Sequence, residues 1–145
     1  LQTLTGALTQ CVRRRPGWLY AMFPSGITCP VPARPALVQA AVLEALRPVL
    51  ACGGQAGLEV KPRSRAVLLC LRGSAPAGVL PLWQALARQS GGAVVFDSGA
   101  QFAAAAFLPL CPGCRIQKSP STQELLEDRF SLPYLFLSGY CAGPW

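Results

Sequence analysis

Apolar and polar positions in the first two thirds of the chain follow two periods, one of strands and one of helices. Trp18-Leu19-Tyr20-Ala21-Met22-Phe23 is a continuous, aromatic-rich apolar run, which predicts a strand buried on both faces. Pro24-Ser25-Gly26 ends it, and a proline-rich loop leads to a helix over Pro35 to Ala51. Proline is tolerated in a first helical turn because the amide it lacks would be unpaired there anyway. Within this helix Gln39, Glu44 and Arg47 fall on one arc of about 140° at about 100° per residue. Its remaining surface is Ala, Val and Leu, wide enough to lie on a sheet and touch a second element. Pro48 is expected to kink or end it, and Gly53-Gly54 to stop it. Leu58 to Lys61 and Ala66 to Leu71 read as strands joined by Pro62-Arg63-Ser64-Arg65. So short a turn allows only an antiparallel hairpin, whereas the helix between the first two strands requires a right-handed parallel crossover. Leu80, Trp83, Leu86 and Ala87 share one face of a second helix, Leu80 to Gln89, and Gly91-Gly92 caps it before a closing strand, Ala93 to Phe96.

The ends are less regular. Leu4, Leu8 and Val12 give a short helix with one apolar stripe, followed by Arg13-Arg14-Arg15 and the breaker Pro16-Gly17. Beyond Asp97 no element is assigned to the apolar, Ala-rich stretch Phe102 to Leu110. Ser121 and Glu124 make a capping box for a helix running to about Phe130. The tail then turns apolar at Tyr134, Leu135, Phe136 and Leu137. Two readings stand for it: a contact in an assembly, or packing back onto the chain's own core. The expected division is a basic arm at 1–17, an α/β domain at 18–97 and an extension at 98–145.

A chain of 145 residues suits one compact domain with arms. Apolar residues make up 52% and charged ones 13%, enough for a core and too few charges for wholesale disorder. Charge changes the picture more. Residues 1–72 hold nine cations against Glu44 and Glu59, while residues 73–145 balance four against four, so the whole net +7 lies in the first half. Arg13, Arg14, Arg15, Arg34, Lys61, Arg63, Arg65 and Arg72 flank predicted strand ends and form the candidate polyanion-binding set. Phosphate contacts of this kind position a protein without reading sequence; a merely solvated basic surface is the alternative. Aromatics are not interleaved with these residues, which disfavours base stacking.

Seven cysteines in no repeated spacing argue against a secreted disulfide scaffold and for a reducing compartment, with Cys52 and Cys70 as small core residues. Cys111-Pro112-Gly113-Cys114 has three readings. It is a redox dithiol if a helix follows to lower the first thiol's pKa, half of a zinc site if ligands arrive from elsewhere, or a plain turn. Cys29, ahead of the first long helix, has no partner two or three residues away. The chain has no histidine, hence no triad and no His base. Its six carboxylates are scattered, and no phosphate-cradling glycine loop opens a helix. Nothing here argues for an enzyme, a metal or a cofactor. The longest charge-free runs fall short of the roughly 20 apolar residues of a membrane span. The chain begins at Leu1 and not at Met, as a processed form would.

The order of elements resembles the thioredoxin-like family shared by mitochondrial large-subunit ribosomal protein forty-three and the B-eight accessory subunit of respiratory complex I, the former being the closer match. The resemblance rests on the N-terminal arm, the helix ending in Gly53-Gly54 and the strand running into Lys61-Pro62-Arg63. It continues through the strand ending Leu71-Arg72-Gly73 and the helix closing with Leu86-Ala87-Arg88-Gln89-Ser90-Gly91, and covers roughly Gly6 to Phe96. Ser25-Gly26-Ile27-Thr28-Cys29 departs from the Gly-Ser-Ser-Arg-Gly-like turn usual after the first strand. The resemblance implies a thioredoxin-like mixed sheet of about four strands with two main helices. It further implies a non-catalytic structural protein of the mitochondrial matrix, holding ribosomal RNA through the basic set and neighbouring proteins through the tail. The alternatives are a complex I accessory subunit and, from another class, a thiol-disulfide oxidoreductase using Cys111 and Cys114.

Overall fold

A computed structural model of the chain describes residues 1–11, 18–74, 80–98, 101–118 and 120–138. The elements along them are α1 (Gln2–Cys11), β1 (Leu19–Met22), α2 (Pro35–Ala51), β2 (Ala56–Pro62), β3 (Ala66–Gly73), α3 (Pro81–Ser90), β4 (Ala93–Ser98), β5 (Phe102–Pro109), α4 (Thr122–Glu127) and α5 (Leu132–Ser138). As the connection lengths require, β1 and β2 are parallel across the α2 crossover, and β2 and β3 form an antiparallel hairpin. α2 runs on for a turn past Pro48 before Gly53-Gly54 stops it.

The expected four-stranded sheet is corrected by β5. This strand inserts between β3 and β4, antiparallel to both, to give a five-stranded sheet in the order β1-β2-β3-β5-β4. Its burial alternates, with Phe102, Ala104, Ala106 and Leu108 facing inward. Sequence hides that alternation because alanine, a poor strand former, stands on both faces. β4, read as a closing strand, is therefore an edge.

α2 and α3 pack side by side on one face of the sheet. Their shared core is built from Val42, Leu46, Val49, Leu58, Leu69, Leu71, Trp83 and Leu86. Trp83 is fully buried, and its indole Nε1–H donates to the Ala41 carbonyl at 2.7 Å, so the one polar atom of that side chain is satisfied. Among the described residues no element covers the opposite face. Cross-strand register places Met22, Glu59, Cys70, Ala105 and Val95 in one row and Tyr20, Gly57, Arg72, Ala103 and Asp97 in the next. Tyr20 is 65% and Val95 70% exposed, so the first strand is buried on one face only, contrary to the expectation from its unbroken apolar run.

The two ends of the described chain meet. α1 buries Leu4 and Leu8 and packs against α4 and α5, and α5 lies on α2. The capping box forms as expected, with the Ser121 hydroxyl accepting the Glu124 N–H at 3.1 Å and the Glu124 carboxylate accepting the Ser121 N–H. In the tail, Phe136 is buried in the main core, Tyr134 is half-buried and Leu135 is exposed; the Leu137 side chain lies outside the described residues. Phe136 thus packs back on its own chain, while Leu135 stays exposed.

Candidate functional site

Glu44 is the best-placed charged group in the helical layer. The residue before α3, Leu80, has no side chain able to cap a helix, and Pro81 fills the first turn. The cap comes instead from α2. Glu44 Oε2 accepts the Leu82 N–H at 3.0 Å, and the carboxylate also takes a bond from the Trp83 N–H. Partial burial raises the Glu44 pKa, against the opposing pull of these two N–H groups and of Arg47. Beside it a groove of about 380 Å³ opens between three helices. α2 supplies Leu43, Glu44 and Arg47, α3 supplies Leu82, and α5 closes one side with Leu135 and Phe136. Its walls are mostly apolar, with one carboxylate and one exposed arginine among them. The N-terminus of α3 would itself take an anion, but Glu44 already occupies it. Sequence reading placed Glu44 and Arg47 on one polar arc without marking them as a site; two charges on an otherwise apolar helix were the available signal.

A second cleft, of about 470 Å³, lies at the far end of the sheet between the β1–α2 loop and the segment after β5. The Arg34 N–H donates to Gln89 Oε1 at 3.2 Å, Cys111 N–H to the Pro30 carbonyl at 2.9 Å, and Leu110 N–H to the Arg65 carbonyl at 2.9 Å. Arg34 and Arg115 line this cleft, and the Leu110 bond holds the Arg65 backbone against the segment after β5; none of Arg34, Arg63, Arg65 and Arg115 has an ion-pair partner among the described residues. The rest of the basic set is not there. Arg72 is seven residues along β3 from Arg65, roughly 20 Å away at about 3.3 Å per residue. Lys61 pairs with Glu59 at 2.8 Å. Arg13, Arg14 and Arg15 lie outside the described residues.

Cys111 and Cys114 form a disulfide. No helix opens there, since α4 begins only at Thr122, so the geometry that activates a redox dithiol is missing. Cys52 is exposed and Cys70 half-buried; the expectation that both fill the core is corrected, Cys70 because its position in β3 faces the open side of the sheet.

No family model and no curated protein matches the chain. Solved structures do. The chain is similar to the histidine kinase domain of the E. coli osmosensor EnvZ, at 13% identity and a TM-score of 0.59, over 82% of this chain and 90% of that one. It is also similar to the mycobacterial sensor histidine kinase MprB, at 16% identity and 0.53, over 77% and 95%. The Acinetobacter baumannii histidine kinase AdeS matches at 10% and 0.54, over 75% and 62%. The fold is shared with histidine kinase domains.

That finding overturns the thioredoxin-like reading and, with it, the assignment to a mitochondrial ribosomal protein or to a complex I subunit. The order of strand, helix, hairpin, helix and strand is common to different sheets, and the inserted β5 distinguishes them. Ribosomal RNA and ribosomal neighbours fall as partners for the same reason. The thiol-disulfide oxidoreductase alternative falls too, on fold and on the position of Cys111 and Cys114. The expectation of a non-catalytic part is also corrected, because the structures that share this fold are named as kinases.

Proposed function

We propose that the chain is a histidine-kinase-like domain of a signalling protein, with the groove between α2, α3 and α5 as its nucleotide site. The observation that carries this reading is the likeness to the EnvZ histidine kinase domain over 82% of the chain. The groove supports it. Leu43, Leu82 and Phe136 offer apolar walls to a base, and Arg47 offers a guanidinium to a phosphate. Phosphoryl transfer depends mainly on positioning and electrostatics, and Arg47 would supply one positive charge to it. The chain holds no histidine, so a phosphoryl group bound for histidine goes to one outside these 145 residues. Arg34, Arg63 and Arg65, with Arg115, form the face we assign to an anionic partner surface.

Titration with ATP, followed calorimetrically, tests the site. Arg47→Ala is expected to weaken binding about tenfold, the loss of one charge-assisted phosphate contact worth roughly 1.5 kcal/mol. Glu44→Gln keeps an acceptor for the Leu82 N–H while removing a negative charge, and is expected to tighten binding. Absence of ATP binding by both the parent and Glu44→Gln at millimolar nucleotide would sink the proposal, as would binding indifferent to Arg47.

A further inference from the structure

The cleft at the basic rim carries a second chemistry. Cys29, from the β1–α2 loop, and Cys114, from the segment after β5, both line it. The loops are already tied by the Cys111 N–H donating to the carbonyl of Pro30, the residue next to Cys29. Cys29 is a free, half-buried cysteine that lines the same cleft as Cys114 of the disulfide. A free thiol beside a disulfide opens the way to thiol–disulfide exchange.

We infer that Cys29 is a resolving thiol for the Cys111–Cys114 disulfide and that the chain isomerises between two bonded forms. The Cys29 thiolate attacks Sγ of Cys114. The Cys29–Cys114 bond forms as the Cys111–Cys114 bond breaks, and Cys111 leaves as a thiolate that takes up the proton Cys29 gave up. Nothing is oxidised or reduced overall, so no external oxidant or reductant enters. The two forms constrain the chain very differently. A bond between Cys111 and Cys114 closes a single turn and leaves the cleft open. A bond between Cys29 and Cys114 staples the β1–α2 loop across the cleft, with α2, both hairpin strands, α3, β4 and β5 between its ends. It removes far more freedom from the unfolded chain and draws Arg34 and Arg115 together. Disulfide isomerisation thereby switches the basic cleft between open and closed.

The test is disulfide mapping of the full chain after acid quenching and alkylation of free thiols, with a protease that separates Cys29 from Cys52. The parent is expected to contain a fraction of molecules in which Cys111 is alkylated and Cys29 is not. Cys111→Ser, oxidised with glutathione disulfide, is expected to form the Cys29–Cys114 bond in most molecules and to unfold at a higher temperature than its reduced form. If Cys111→Ser folds and yields no Cys29–Cys114 peptide, or if Cys114→Ser forms a Cys29–Cys111 bond in its place, the inference is overturned. Should Cys111→Ser fail to fold, the parent decides alone: Cys29 alkylated in every molecule and Cys111 in none overturns it equally.

Discussion

At the scale of single residues, Glu44 shows how a charge acquires a role that its own helix does not explain. On α2 it is one polar position on a largely apolar surface; in the folded chain it caps α3 through the Leu82 N–H. Its carboxyl pKa is raised in the fold, chiefly by desolvation. A raised carboxyl pKa means that the folded state binds the proton more tightly than the unfolded state does. Stability from this group is therefore greatest when it is protonated, and falls as pH rises from the ordinary carboxyl value through the raised one. Glu44→Gln is expected to flatten that part of the stability profile and to be most favourable, relative to the parent, above the window. Urea melts at a series of pH values measure it, and an unchanged profile in Glu44→Gln would show that another group governs the slope. Glu124 moves the other way. Its pKa is lowered by the bonds to Ser121, so its capping contribution is present above the ordinary carboxyl value and is lost as pH falls through the lowered one.

Among the elements, the connection between α3 and β4 is the tightest point of the fold. Gly91 takes the left-handed conformation, φ 67°, that ends α3, and its N–H and that of Gly92 close the last turn on the carbonyls of Arg88 and Ala87. Gly92 has a different constraint. A Cβ there would run into the Phe107 carbonyl of β5, which is backbone and has no room to yield. Gly92→Ala is expected to cost about 2 kcal/mol or more, read as a fall in the denaturation midpoint with an unchanged slope; a loss below about 0.5 kcal/mol, within the range of ordinary surface changes, would mean that β5 can shift. The glycine pair is visible in the sequence as a helix stop. The carbonyl that forbids a side chain at Gly92 is not, because it belongs to a strand that comes later in the chain and carries no strand-like pattern.

For the whole molecule, the joining of the two ends bears on how the domain unfolds. α5 reaches α2 and α1, and Phe136 is 7% exposed within the main core. Phe136→Ala is expected to destabilise by about 3 kcal/mol and to lower the single unfolding transition as a unit. Two separated transitions by calorimetry would show that α5 is an attachment and not part of the cooperative core. The same residue walls the proposed nucleotide groove, so the variant should also weaken ATP binding under conditions where it stays folded.

The sequence by itself determined the local elements: the α2 crossover, the β2–β3 hairpin, α3 with its glycine stop, and the capping box at Ser121. Each is written in a period, a breaker or a spacing that neighbouring residues carry. The resemblance drawn from their order was wrong, because that order is shared by sheets that differ in which strands pair. Tertiary structure alone decided the insertion of β5, the Glu44 cap and the groove beside it. It also divided the basic residues, which share a charge and a half of the sequence, between the rim and the far end of β3. These outcomes depend on contacts between residues remote in the chain, and a local pattern does not encode the partner across the sheet.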